Sequence, residues 1–399
     1  MNITPTILSA VTAISTLINT GLPTITEAIK TPVEPPEMIR NKFELSPFYQ
    51  QWIDVEGFPV VASEKANPHA IQEAAWLIRH MIGHRPDILK ALADNNVRFS
   101  VMAYNEMTTD IPEHSDLYPD FYWDRRARGL GATASRPSTS CGEENLLNYA
   151  GDPYLTENIL VHEFSHAIHQ MGLSSVDPDF DNRLKSLYEA AMEKGLWKGT
   201  YASTNKEEYW AEGTQSWFDT NRENDAQHNH VSKRHILKDY DPGLAALLTE
   251  IFGDTEWRYT KAISRTDLPH LKGFQPDESP QFEWPHNLSI EYEKLFDPDG
   301  DGGDKWKDLT RHDPQSLSQL NSEDGDNTSI LFVNKTDTEI SYYWIDSDGN
   351  ENYRGRVAAN AFGVQWTRAG HIWLVNDSAE NNVGIFQAID KTGRALIIK

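Results

Sequence analysis

The chain has 399 residues, 36 of them Lys or Arg and 60 Asp or Glu, for a formal net charge of −24 at pH 7. That balance argues against nucleic acid and anionic membrane surfaces as partners, since both repel an acidic protein, although acidity also serves plain solubility. Cys141 is the single cysteine, which excludes an intrachain disulfide framework, and no run of about twenty apolar residues predicts a transmembrane span.

The length and a hydrophobic content of 39% favour two or three globular domains. Residues 1–36 read as an N-terminal segment and linker. Residues 1–25 are uncharged apart from the amino terminus, with a short apolar core over 7–18. A leader there would make the protein secreted or extracytoplasmic. The missing basic n-region fits a loosely ordered amphipathic N-terminus equally well.

Residues 37–310 form the first expected domain. Asn67 is a plausible N-cap with Pro68 at the first helical position. Helical spacing then runs through Ile71, Ala74, Leu77, Met81, Ile88 and Leu92, split by Gly83 and Pro86. Residues 97–104 alternate and predict a strand, whose edge is a candidate for pairing with an extended substrate. Residues 126–151, rich in Gly, Ser and charge, predict a long functional loop.

Residues 156–172, TENILVHEFSHAIHQMG, carry the chemistry. Ile159, Leu160, Phe164, Ala167, Ile168 and Met171 follow a helical period, with Thr156 as N-cap and Gly172 as stop. His162 and His166 are four apart and share one face, so both can reach one metal ion. Glu163 lies beside them, where it can polarise a metal-bound water. An amphipathic core helix with two satisfied histidines is the plain alternative, and a third ligand decides between them.

Downstream, residues 180–194 and 209–222 have helical character. Thr204 and Glu207 form a capping box that sets Glu208 and Glu212 on one face. One of them can bind zinc while the other holds a ligand histidine. A solvated charge pair is the alternative, opposed by the apolar Tyr209, Trp210 and Ala211. His169 reads as a helix-surface residue, His228 and His230 as parts of a polar loop, and Cys141 as a candidate switch thiolate. Residues 245–252 predict a short helix, and 265–295 an irregular stretch.

Asp297, Asp299, Asp301 and Asp308 fall on the first, third, fifth and twelfth positions of a calcium loop, with Gly302 at the sixth. Hard oxygen ligands at this spacing suit Ca2+, although Asp304 stands where an apolar anchor is usual. Residues 311–328 predict a linker. Across 329–399, short alternating runs separated by turn residues predict a small all-β domain.

H-E-F-S-H-A over 162–167, followed by Y-x-x-T-N-x-x-E-Y-W-A-E over 201–212, resembles the catalytic domain of anthrax lethal factor and related gluzincins. Those zinc metallopeptidases carry H-E-F-G-H-A and Y-x-x-T-N-x-x-E-F-F-A-E at nearly the same separation. Ser165 stands where the family has Gly, and the likeness spans about sixty residues. It implies Zn2+ held by His162, His166 and Glu208, with Glu163 as general base. Tyr201 would stabilise the oxyanion, and Glu212 would support a ligand from behind.

Residues 330–375 resemble the β domain of the von Hippel-Lindau tumour suppressor, which binds hydroxyproline-containing peptides. The carrying residues are I-L-F-V-N-K-T over 330–336, Trp344, Asp348-Gly349, Tyr353 and T-x-x-G-H-I-W over 367–373. The family's pocket positions fall on Trp344, Tyr353, Thr367, His371 and Trp373, with the spacing around Tyr353 off by one. Together these resemblances imply an α+β zincin-like metallopeptidase domain followed by a small all-β sandwich domain. The implied protein is a zinc-dependent endopeptidase whose C-terminal domain recognises a protein partner or substrate rich in proline or hydroxyproline. The competing class is a non-catalytic zinc-containing binding protein.

Overall fold

The computed structural model describes residues 28–320 and 322–398, so the leader expected over 1–25 lies outside the described residues. After a short helix α1 (Glu37–Lys42), strands β1 (Gln51–Val55) and β2 (Phe58–Ala62) pair as a hairpin. Glu56 and Gly57 make its two-residue turn at φ of 53° and 88°, the conformation that matches strand twist. Helix α2 (Pro68–Ile82) starts where the sequence places it, with the Asn67 side chain accepting from the His69 amide. Helix α3 (Pro86–Asp94) and strand β3 (Arg98–Met102) follow.

Residues 126–151 are not a long loop. Helix α4 (Asp120–Arg126) leads into strands β4 (Gly129–Leu130) and β5 (Ser138–Gly142), then helix α5 (Glu143–Leu147). The five strands lie in the order β1-β2-β3-β5-β4. Strands β2, β3 and β5 run parallel, and β4 joins antiparallel at the edge. Strand β3 therefore has a neighbour on each side and offers no free edge; β4 is the edge strand on that side.

Helix α6 (Ile159–Ala167) packs on this sheet through Phe164, whose ring lies 5.5 Å from Phe58 and 6.1 Å from Phe99. Its N-cap is Asn158, not Thr156: the buried Asn158 side chain accepts from the Val161 amide. Gly172 does not end it, because a π-helical turn over Ile168–Leu173 and α7 (Ser174–Val176) continue the path. Helix α8 (Phe180–Glu193) precedes α9 (Lys206–Trp217), which Asn205, rather than Thr204, caps by accepting from the Glu208 amide. Helices α10 (Arg234–Tyr240), α11 (Pro242–Phe252) and α12 (His286–Phe296) complete the first unit. The last of these lies in a stretch expected to be irregular.

The second unit is all-β. Strand β6 (Lys307–Asp308) and strands β7 (Asn327–Asn334), β8 (Ile340–Ile345), β9 (Glu351–Val357), β10 (Ala361–Arg368), β11 (Ile372–Asp377), β12 (Asn382–Gln387) and β13 (Gly393–Ile397) form two four-stranded sheets. One, β12-β11-β8-β9, is wholly antiparallel. The other, β10-β7-β13-β6, contains two parallel pairs. Ile330, Phe332 and Ala395 of one sheet share a core with Ile340, Trp373 and Phe386 of the other.

The two units are not joined by a free linker. Strand β6 already pairs with β13, His312 bridges Ile385, and Ser322 Oγ donates to the Ile345 carbonyl at 2.6 Å. The sheet unit thus begins near residue 307 rather than 329. Met107, Phe121, Phe282, Leu295 and Trp306 pack against Leu331 and Val333 of β7. Among the described residues, no helix is long and apolar enough to cross a membrane.

Candidate metal centre

Helix periodicity brings His162 and His166 to one face of α6, and the Asn205 cap starts α9 so that Glu208, in its first turn, meets them. His162 Nε2 lies 3.2 Å from Glu208 Oε2, His166 Nε2 3.4 Å from the same oxygen, and the two imidazole nitrogens 3.3 Å apart. Tetrahedral ligands about 2.0–2.1 Å from zinc are separated by about 3.3–3.4 Å along each edge. Glu208 Oε2 is buried and forms a hydrogen bond with neither histidine. Three donor atoms therefore surround one point, and this fits a small divalent cation. Among the described residues, these three form the one group of His, Cys, Asp or Glu side chains disposed to hold a metal.

The electrostatics agree with that fit. Burial lowers the His162 pKa, but Glu208, Glu163 and Glu212 outweigh it and raise the group well above its ordinary value. Burial likewise opposes ionisation of Glu208, yet His162 and His166 hold its pKa far below the carboxylate range. The cluster attracts positive charge. Tyr201 donates to Glu208 Oε1 at 3.2 Å; burial first, then the Glu208 charge, raises its pKa and keeps the phenol protonated.

Support from behind comes chiefly from a residue the sequence reading did not single out. Gln215 Oε1 lies 2.9 Å from His162 Nδ1, while its amide nitrogen donates to Glu157 Oε2 at 3.1 Å. That donation fixes the amide, so Nδ1 carries a ring proton and Nε2 is the nitrogen turned to the centre, where a cation would displace the proton that the surrounding carboxylates favour. Glu212 Oε1 is 3.6 Å from the same nitrogen. Glu212 instead accepts from Asn221 Nδ2 at 3.0 Å and lies 3.4 Å from His228 Nε2. His228 is thus buried beside the centre and lines its cleft, rather than sitting in a solvated loop. The helical spacing 208, 212, 215 was the signal that could have found Gln215.

The cleft holds about 260 Å³ and is lined by Glu163, Tyr201 and Gly129 among others. Strand β4 presses on α6 beside Glu163. A Cβ on Gly129 would lie 2.5 Å from Ile159 Cγ2, and one on Gly131 2.9 Å from His166 Cβ. His169 is no surface residue: it is buried, with Nε2 3.0 Å from Asp181 Oδ1. Cys141 lies in the core, where burial and then Glu144 raise its thiol pKa well above the usual value, which removes a thiolate switch.

The acidic loop does not gather its carboxylates. Asp297 Oδ1 accepts from the Asp299 amide and Asp301 Oδ1 from the Gly303 amide. Asp308 pairs with the fully buried Arg394. The Arg394 guanidinium also donates to the carbonyls of Lys294, Leu295, Asp297 and Gly300 at 2.8–3.1 Å. In this structure the cation that the loop wraps is the Arg394 guanidinium.

In the β unit, Trp344, Thr367, His371 and Trp373 line one hollow of about 440 Å³. Thr367 Oγ1 accepts from Trp373 Nε1 at 3.0 Å and lies 3.1 Å from His371 Nδ1. Tyr353 is not there: it pairs with Tyr343 on the other face and is 57% exposed. A bulge in β9 adds Arg354 between the partners of Tyr342 and Tyr343, and Arg354 covers Trp344 at 5.2 Å.

No protein-family model matches the chain, and no curated protein matches it significantly.

Proposed function

We propose that the chain is a zinc-dependent endopeptidase of the gluzincin kind, its first unit a zincin-like catalytic domain and its second a recognition domain like the von Hippel-Lindau β domain. The observation that carries this is the meeting of His162 Nε2, His166 Nε2 and the buried Glu208 Oε2 at tetrahedral-edge distances from one another. Zinc held by these three would supply Lewis acidity at the centre. Glu163 takes the proton from the attacking water and returns it to the departing amine nitrogen. Tyr201, protonated and already donating toward the centre, turns that hydrogen to the developing oxyanion. Edge strand β4, with Gly129 in the cleft wall, offers main-chain groups to an extended substrate.

The hollow around Thr367 suits a hydroxylated proline ring, with tryptophan walls and a hydroxyl–imidazole pair for the added OH. Metal analysis and digestion of a peptide library, with and without chelator, test the whole reading. Glu163→Gln is expected to keep zinc and lose hydrolysis; full turnover by that variant overturns the base assignment. Stoichiometric zinc with no cleavage of any peptide puts the chain in the non-catalytic binding class.

A further inference from the structure

Helix α4 ends at Arg126, whose side chain lines the same cleft as His162, Glu163 and Tyr201. The cleft's other arginine, Arg222, is tied to Asp225 at 2.7 Å and lies 3.5 Å from Glu157. Arg126 differs. Its carbonyl accepts from Tyr154 Oη at 3.1 Å, which anchors the backbone. Its guanidinium leans toward the Trp123 ring, 5.8 Å from the centroid, and forms no ion pair or hydrogen bond with any described residue. In a chain with 60 acids and 36 bases, an unmatched arginine does not reflect a shortage of carboxylates. Part of the Arg126 side chain is open to solvent, and Tyr122, Tyr201, Glu163 and Tyr154 raise its pKa. Those neighbours place it beside the proposed reaction centre.

We propose that Arg126 is a specificity-determining residue that binds a carboxylate of the substrate next to the bond being cleaved. The inference rests on the peptidase reading of this cleft. A guanidinium presents a planar fork that matches a carboxylate with two hydrogen bonds. The nearby Glu163, Glu208 and Glu212 oppose a more highly charged anion such as phosphate. The carboxylate belongs either to an Asp or Glu side chain or to the end of the substrate chain.

Three peptide sets separate these sources: internal Glu with an amidated end, internal Gln with an amidated end, and internal Gln with a free end. Cleavage is measured with the zinc-loaded protein, and binding of the same peptides to the metal-free protein by calorimetry. Arg126→Gln is expected to lower kcat/KM for one carboxylate set by about 10- to 100-fold while the amidated Gln set changes by less than about threefold. Arg126→Lys retains part of the preference, and both variants keep wild-type zinc content. Loss confined to the Glu set identifies a side chain, and loss confined to the free-end set identifies a chain terminus. Equal loss on all sets, or none, overturns the assignment while leaving the peptidase reading intact. If wild type cleaves nothing but its carboxylate-dependent binding falls in Arg126→Gln, the peptidase reading fails and the carboxylate site stands. Absence of both cleavage and carboxylate-dependent binding overturns both.

Discussion

Replacing Gln215 by Leu tests whether the metal centre is organised from behind as its geometry implies. The substitution keeps the volume near that of the amide but deletes three contacts, to His162 Nδ1 at 2.9 Å, to Glu157 Oε2 at 3.1 Å and to the Asn158 carbonyl at 3.4 Å. A buried donor left without an acceptor costs about 1–3 kcal/mol. Part of that cost falls on the free protein and part on the loaded one, because His162 is then no longer held with Nε2 toward the centre. Removing such a supporting partner lowers metal affinity by about 10- to 100-fold, or about 1.4–2.7 kcal/mol. Competition for zinc against a chromophoric chelator reads this directly, with thermal unfolding of the metal-free protein as the control for folding. Zinc affinity within about twofold of wild type, in a variant that folds normally, would refute the argument. It would hand the orienting role to Glu212, 3.6 Å from the same nitrogen.

Arg394→Met leaves four inward-facing carbonyls without their donor, while Asp308 is exposed and is resolvated, so unfolding free energy by urea should fall by about 1–3 kcal/mol; millimolar Ca2+ should leave the wild-type melting temperature unchanged, and a rise of several degrees would restore the calcium reading. His114 is buried, and burial lowers its pKa from 6.5 to about 4. Between those values the unfolded chain binds more protons, so this contribution is present above pH 6.5 and is lost as pH falls toward 4, on the order of 2–3 kcal/mol; a His114→Phe variant with the same pH slope in urea unfolding would contradict this. Thr367→Val should reduce the preference for a hydroxyproline over a proline peptide by about tenfold, whereas Tyr353→Ala, on the opposite face, should leave it unchanged; calorimetry distinguishes the two.

The legible parts of the sequence were those in which local spacing and chemistry agree. An i, i+4 pair of histidines on an apolar helix has few other arrangements, and the Asn67–Pro68 start of α2 behaves as capping rules require. Strand β5 escaped because its sequence, STSCG, has no apolar alternation. It is buried throughout, and two of its hydroxyls are partnered inside the sheet, Ser138 with Ser100 at 2.7 Å and Ser140 with the Leu130 amide at 3.2 Å. Strand β9 escaped for the opposite reason, being a polar edge strand with most positions exposed. Gln215 has no charge to draw attention, and its role appears only when α6 and α9 are brought together. The acidic loop misled because its cation lies 86 residues further along the chain than Asp308, beyond any local pattern.

The contact between the two units changes how a recognition domain can act. A module on a flexible linker samples many separations and raises local substrate concentration broadly. Here Phe121 of α4 is buried in the contact with the β unit, and the Tyr122 ring meets Phe362 of β10 at 5.0 Å. Arg126, five residues on and so about 7–8 Å along the same helix, lies in the cleft lined by His162 and Glu163. One short helix therefore touches both the sheet unit and the proposed reaction centre, and the hollow around Thr367 stands at a set distance from His162, His166 and Glu208. On the proposed reading, peptides carrying a hydroxyproline should be cleaved best at one separation between that residue and the cleaved bond, with shorter spacers gaining nothing. A spacer series in which kcat/KM does not vary with length would show that the hollow and the cleft do not engage one chain together, however well each binds alone.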